Sequence, residues 1–149
     1  MLFKTLLWTH ILLAIVAVGA NITFGVWIQR AMANRDSLPF ALRTIKLIND
    51  RMANPAYGFL LITGFAMVLV SDLNFELLWI SISIVLWLGL LLIGIFGYSP
   101  TLRKQIELAE SVGPDDAAYN AAATRGMWLG ILLAVVVLVI LYLMVFKPI

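Results

Sequence analysis

The chain has 149 residues, of which 63% are hydrophobic and only 12% are charged, and its mean hydropathy is +1.04. This composition excludes an ordinary soluble domain, in which about 45–50% of residues are apolar, and it predicts a membrane protein whose first partner is the lipid bilayer. The absence of cysteine from the sequence excludes disulfides, thiolate metal sites, iron–sulfur clusters and cysteine nucleophiles.

Four apolar stretches are long enough to cross a bilayer as helices, at residues 5–29, 55–71, 77–98 and 126–146. A helix needs about 20 apolar residues to span about 30 Å of hydrocarbon, and the second stretch is near the lower limit of about 17. The sequence therefore predicts an all-α fold, with one four-transmembrane-helix bundle that extends over residues 1–149.

The expected helix starts are marked by residues that favour the first turn. Asn54 precedes Pro55, which predicts an N-cap followed by proline at the first position of the second span. Asn74 is expected to cap the third span. The fourth helix is expected to begin before the membrane, because an alanine-rich segment follows the Gly113-Pro114 break and runs directly into the apolar stretch.

Lysine and arginine residues are distributed unequally between the two sides of the predicted membrane. Lys4 and Lys147 lie near the ends of the chain, whereas the connection between the second and third spans has none. The others lie in the two long loops: Arg30, Arg35, Arg43, Lys46, Arg51, Arg103, Lys104 and Arg125. By the positive-inside rule, both long loops are cytoplasmic and both termini lie outside a bacterial cytoplasmic (inner) membrane. This distribution accounts for the net charge of +2, so no nucleic-acid partner is expected.

Each long loop is predicted to contain an amphipathic helix. Apolar residues recur at helical spacing in both loops: Leu38, Leu42, Ile45 and Ile48 in the first, and Leu102, Ile106 and Ala109 in the second. Such helices either lie in the membrane interface against anionic headgroups or serve as ordinary solvated connectors, and the sequence leaves both interpretations open.

The only histidine, His10, lies inside the first apolar stretch, on a stripe at helical spacing that also includes Ala14, Ala17, Asn21 and Gly25. The stripe predicts that His10 and Asn21 face the interior of the bundle. An ionisable side chain within a membrane is a candidate functional site, so both residues are candidate cofactor-binding residues. The alternative is that each forms a hydrogen bond between helices and has no further role.

Met67 and Met144 are expected at a membrane depth similar to that of His10. Histidine and methionine together suit copper(I), or provide His/Met axial ligation of a haem, so His10, Met67 and Met144 are candidate metal ligands. The two-histidine ligation of many membrane cytochromes is excluded within one chain that has a single histidine. The alternative is that both methionines are packing residues.

Small residues mark the expected contact faces of the other helices, because helices in lipid associate through close packing. Candidate faces contain Gly89, Gly94 and Gly97 in the third span, and Gly126, Gly130 and Ala134 in the fourth. These faces favour a homo-oligomer or a larger membrane complex. The hydroxyl groups of Thr63, Ser81 and Ser83 either line a narrow polar path or bond to the backbone of their own helices.

Several short motifs resemble those of a known family. They are Leu7-Trp8-Thr9-His10-Ile11 with Gly19 and the exit Trp27-Ile28-Gln29-Arg30-Ala31, Pro55 with Thr63-Gly64, Tyr98-x-Pro100-x-Leu102-Arg103, and the closing Leu143-Met144-Val145-Phe146-Lys147-Pro148. Over its full length the chain resembles the bacterial family called domain of unknown function 2269, predicted integral membrane proteins. That family looks related to a wider group that includes the copper resistance D proteins and the membrane-type protoporphyrinogen oxidases. The resemblance carries over His10, and more loosely Gly19, and it implies copper or haem b as candidate cofactors.

These features favour a non-catalytic transport protein or accessory subunit that packs against copies of itself or a larger complex. No catalytic residue is predicted, and an enzyme is the less favoured interpretation. One alternative is a haem b- or copper-binding membrane redox protein with His10 as a ligand. Another is a proton-coupled carrier that uses His10 and Asn21, although the spans contain no paired carboxylates to support it.

Overall fold

The computed structural model describes residues 1–148, and this part of the chain contains six α-helices and no β-strand. The helices are α1 (Leu2–Ala33), α2 (Leu38–Ile48), α3 (Asn54–Leu69), α4 (Leu78–Ile93), α5 (Ser99–Ser111) and α6 (Ala117–Phe146). A short 3-10 helix, Arg35–Ser37, precedes α2. Two single-turn π-helices, Asn49–Ala53 and Gly94–Tyr98, join α2 to α3 and α4 to α5. The predicted all-α fold is confirmed.

Four continuous helical segments are long and apolar enough to cross a membrane: Leu2–Ala33, Arg35–Leu69, Leu78–Ser111 and Ala117–Phe146. They correspond to the four predicted apolar stretches. At most 22% of the residues in the apolar window of any segment are buried within the protein. Lipid or other helices must therefore cover most of this surface.

Each π-helix ends two residues before a proline, at Pro55 and Pro100. Proline lacks an N–H group and its ring clashes with the carbonyl four residues earlier, so a widened turn lets the helix continue past it. The expected N-cap at Asn54 is therefore wrong, because its φ and ψ angles of −61° and −47° are helical. The first loop helix and the second span form one continuous segment.

The starts of α4 and α6 differ from each other. The side-chain oxygen of Asn74 accepts a hydrogen bond from the backbone N–H of Glu76 at 3.1 Å, within the turn before α4, and Leu77 occupies the N-cap position. The carboxylate of Asp116 accepts the N–H of Ala118 at 2.7 Å and caps α6. The fourth helix thus begins before its apolar stretch, as predicted.

The spanning helices form two hairpins. Close backbone approaches, with Cα atoms within 8 Å of each other, are extensive between α1 and α3 and between α4 and α6. Among the described residues, no comparable approach joins a helix of one hairpin to a helix of the other. The hairpins meet at their ends, where α2 packs against α5 and where Val68 and Leu73 pack against Trp79 and Leu143. The predicted bundle is thus organised as two helical pairs joined at both ends.

Helices α2 and α5 form a layer at one end of the hairpins, so both long loops lie on the same side. Leu38, Leu42 and Ile45 are almost completely buried, in a cluster with residues of α1, α5 and α6. The apolar stripe of the first loop helix is therefore covered by protein rather than by lipid. Two ion pairs connect the loops: Arg35 with Asp115, and Arg43 with Glu110.

Candidate functional site

His10 and Thr63 form a polar contact between α1 and α3, in which His10 Nδ1 lies 2.7 Å from Thr63 Oγ1. The Thr63 hydroxyl also lies 2.8 Å from the carbonyl oxygen of Phe59 and 3.1 Å from that of Leu60. A hydroxyl has one proton and a carbonyl oxygen only accepts. All groups are satisfied when Thr63 donates to its own helix backbone and His10 Nδ1–H donates to Thr63. We therefore assign the tautomer protonated at Nδ1, which leaves a free lone pair on Nε2.

Gly64 lies against the edge of the same imidazole ring. A Cβ atom at position 64 would lie 3.5 Å from His10 Cε1, which is the ring carbon between the two nitrogens. Any side chain longer than a methyl group would therefore crowd the ring. The Thr63-Gly64 dipeptide supplies the hydrogen-bonding hydroxyl from its first residue and open space beside the ring from its second.

Asn21 and Tyr57 form a second polar contact between α1 and α3. The Asn21 amide nitrogen Nδ2 donates to the Tyr57 hydroxyl at 2.6 Å. Ala17, which lies between the two polar residues of α1, is fully buried. The predicted stripe on the first span therefore faces α3, its partner within the hairpin. Hydrogen bonds of this kind between membrane helices stabilise their association by about 0.6 kcal/mol on average.

The two candidate methionine ligands lie in different hairpins. Met67 is on α3, about one helical turn beyond Thr63. Met144 is on α6, where it packs against the cluster that contains Trp79 and Leu143. The structure thus brings His10 to Thr63, and metal ligation by His10, Met67 and Met144 stays a prediction.

A haem or a copper ion, the groups that the resemblance implies, would find one well-oriented donor in His10. Its Nδ1–H is held by Thr63, and a hydrogen bond at one ring nitrogen is the usual way in which the other is oriented towards a metal. Within residues 1–148 the structure contains no group of three or more histidine, aspartate and glutamate side chains that would hold a metal ion. The donor set therefore fits a single imidazole ligand, with the remaining ligands supplied by a methionine or by another molecule.

The small-residue face of α6 packs against another part of the same chain, near the loop helix α5. At Gly126 an added Cβ atom would lie 3.0 Å from the amide nitrogen of Gln105. That amide donates to the carbonyl oxygen of Ala122 at 3.2 Å. Gly97 similarly lies against Leu129. These glycines allow α5 and the end of α4 to approach α6 closely.

The last part of α4 and the start of the π-helix that follows it have fewer partners. An added Cβ atom at Gly89 or Gly94 would meet no atom within 4 Å outside its own helix backbone. Two residues before Gly89, the indole nitrogen of Trp87 is buried and has no hydrogen-bond acceptor within the described chain. Buried donors without an acceptor are rare, and hydrocarbon provides none. The indole N–H of Trp87 is therefore a donor that the described chain covers without satisfying.

The serines of α4 bond to backbone nearby rather than forming a polar path. Ser83 donates to the carbonyl of Trp79 at 2.6 Å, and Ser81 donates to the carbonyl of Phe75, with the carbonyl of Leu77 as a more distant second acceptor. The contacts of His10 with Thr63 and of Asn21 with Tyr57 are not among those predicted from the sequence. The helices are antiparallel, so His10, which comes earlier in α1, meets Thr63, which comes later in α3, and Asn21 meets Tyr57.

Comparison with known proteins identifies a family to which the chain is similar. A family model described as "Predicted integral membrane protein (DUF2269)" matches residues 4–148. No curated protein and no solved structure matches the chain. The matched range includes both polar contacts between α1 and α3 and both loop helices.

Proposed function

Because the chain belongs to the DUF2269 family of predicted integral membrane proteins, we propose that it is a non-catalytic transport protein or accessory subunit that packs against copies of itself or within a larger membrane complex. The observation that carries this proposal is the organisation of the spans as two separate hairpins. Within each hairpin the backbones of the two helices approach closely, with Cα atoms within 8 Å, whereas the spanning helices of different hairpins have no comparable approach in the part of the chain that the structure describes. A second chain that packs along these helices would complete the membrane-spanning part.

The residues of α4 support the same proposal. Gly89 offers a surface without a side chain, and small residues of this kind let a second helix approach closely in lipid.

The proposed location is a bacterial cytoplasmic membrane, with both termini outside and the α2–α5 layer in the cytoplasm. The arginine and lysine residues of the two long loops support this orientation through the positive-inside rule. The contact between α2 and α5 places both basic loops at one end of the protein, which is consistent with a single cytoplasmic face.

Mass measurement in native lipid tests the assembly. The protein is extracted with its surrounding bilayer in a polymer nanodisc, and the mass of the protein component is determined by native mass spectrometry. We expect a mass above that of the 16.5 kDa chain, from further copies or from a co-purified partner. A monomer without partners would contradict the proposal. Gly89→Ala and Gly89→Leu form a graded pair, and the larger side chain is expected to weaken assembly more while the monomer remains folded.

A second candidate function is a haem b- or copper-binding redox protein, and the contact between His10 and Thr63 favours it. This contact orients the imidazole and leaves Nε2 free to ligate. The position of His10 early in the first helix, which resembles that of the histidine in copper resistance D proteins and membrane-type protoporphyrinogen oxidases, supports the same idea. A bound haem or copper ion would supply one-electron redox chemistry, and His10 would hold and orient it within the membrane.

An absorption spectrum of the purified protein tests the redox function. Oxidised and dithionite-reduced samples are compared, with metal analysis on the same preparation. We expect a Soret band or stoichiometric copper in the wild type, and loss of either in His10→Ala. Asn21→Ala is the matched control, because it removes a polar side chain from the same stripe without removing the imidazole. A colourless, metal-free wild type, or unchanged cofactor content in His10→Ala, would contradict this function.

A further inference from the structure

A cavity of about 320 Å³ lies where the end of α1 meets the start of α2. Its polar wall contains Arg30, Asn34 and Ser37, and its apolar wall contains Trp27 and Phe40. Ala31 and Ala41 also line the cavity, and neither has a side chain larger than a methyl group. The volume is at the lower end of the range for small-molecule sites.

The polar residues of this cavity are not engaged elsewhere in the part of the chain that the structure describes. Arg30 forms no ion pair within the described residues, whereas three neighbouring basic residues do: Arg35, Arg43 and Lys46. Neither Asn34 nor Ser37 makes a side-chain hydrogen bond as a helix cap. No carboxylate lines the cavity. Its hydrogen-bonding side chains, led by a guanidinium, are therefore available to an anionic ligand.

The position of the cavity identifies the kind of ligand. Arg30 follows directly after the apolar stretch 5–29, so it lies at the edge of the hydrocarbon, at the depth of lipid phosphates. Trp27 and Phe40 remain 37% and 67% exposed, and aromatic side chains at this depth are suited to contact with the upper part of acyl chains. The ligand should thus be amphipathic, with a negative charge beside Arg30 and an apolar part beside the aromatic residues.

We propose that this cavity binds the headgroup of an anionic phospholipid, with its phosphate held by Arg30, Asn34 and Ser37 and its acyl chain beside Trp27 and Phe40. Guanidinium–phosphate bonds are charge-assisted and stronger than neutral hydrogen bonds. The site is distinct from the contact between His10 and Thr63, and it does not depend on the proposed assembly or redox function. The proposal also does not depend on whether the end of the protein that contains the cavity lies on the cytoplasmic or the outer side of the membrane.

The test titrates purified protein in mild detergent with phosphatidylglycerol and counts bound lipids by native mass spectrometry. Arg30→Gln removes the guanidinium of the site. Arg51→Gln is the matched control, because Arg51 is an exposed arginine of the same loop that does not line the cavity. Binding is also measured with phosphatidylcholine, and competition is measured with millimolar inorganic phosphate. Elution volume and helical circular dichroism verify that both variants are folded.

We expect Arg30→Gln to weaken phosphatidylglycerol binding about tenfold, as the loss of one charge-assisted contact predicts, and Arg51→Gln to change it less than about twofold. Equal losses in the two variants would overturn the proposal, because they would indicate only a general attraction to basic residues. Equally tight binding of phosphatidylcholine would also overturn it. Displacement of the lipid by inorganic phosphate would reassign the cavity to a soluble phosphate.

Discussion

His10 on α1 and Thr63 on α3 are 53 positions apart in the chain, yet His10 Nδ1 lies 2.7 Å from the Thr63 hydroxyl. Because Thr63 donates to its own helix backbone, its hydroxyl oxygen accepts a hydrogen bond from the His10 Nδ1–H group, and this assigns the tautomer of the only histidine. The contact joins α1 to α3, and it leaves the lone pair of His10 Nε2 free.

Replacement of Thr63 by valine is expected to weaken the α1–α3 hairpin by about 1 kcal/mol, because the shape is retained while the hydrogen bond to His10 is lost. Unfolding in mixed detergent with increasing sodium dodecyl sulfate, followed by circular dichroism, measures the change. Thr63→Ser retains the hydroxyl and removes one methyl group from a buried site, so any loss of stability that it shows measures packing rather than the hydrogen bond. Equal destabilisation by valine and serine would show that packing, rather than the hydrogen bond, is important here.

Asn21 and Tyr57 are expected to be energetically coupled. Their hydrogen bond, at 2.6 Å, should give an interaction energy of about 0.5–1.5 kcal/mol in a double-mutant cycle of Asn21→Leu and Tyr57→Phe. The same detergent unfolding assay measures the four proteins. Additive effects of the two substitutions would show that the contact does not stabilise the hairpin.

Gly126→Val is expected to destabilise the protein by about 1–3 kcal/mol, because its side chain would displace the Gln105 amide from the carbonyl of Ala122. Gly25→Val is the matched control, since a Cβ atom at Gly25 meets nothing within 4 Å. Thermal unfolding of both variants in detergent measures the difference. A similar loss at the two positions would exclude the close approach of α5 as the cause.

The orientation in the membrane is testable with single cysteines, since the natural sequence contains none. Asp72→Cys, in the turn between α3 and α4, should react with an impermeant maleimide added to intact cells. Asp36→Cys, in the first long loop, should react only after the membrane is permeabilised. Labelling of Asp36→Cys in intact cells, without labelling of Asp72→Cys, would reverse the proposed orientation.

The helices could be predicted because the bilayer imposes a simple requirement on the sequence. Every backbone polar group must be satisfied within hydrocarbon, so a long apolar stretch becomes a helix. The start of α6 was predictable for a similar local reason, because Asp116 caps the first free N–H groups after a Gly-Pro break. The expected cap at Asn54 is wrong because the helix continues past Pro55 through the π-helix that precedes it. No local sequence pattern distinguishes a proline that starts a helix from one that a widened turn accommodates.

The sequence alone determined that the protein is a four-span, all-helical membrane protein, and that His10 and Asn21 share one face of the first span. Length, apolar content and helical periodicity are sufficient for those conclusions. Only the tertiary structure decided which residues they meet, since Thr63 and Tyr57 are brought to them by the packing of α1 on α3. It also decided that the spans form two hairpins joined through α2 and α5. Partner choice in lipid depends on side-chain packing and interhelical hydrogen bonds rather than on hydrophobicity, which is nearly the same for every face of these helices.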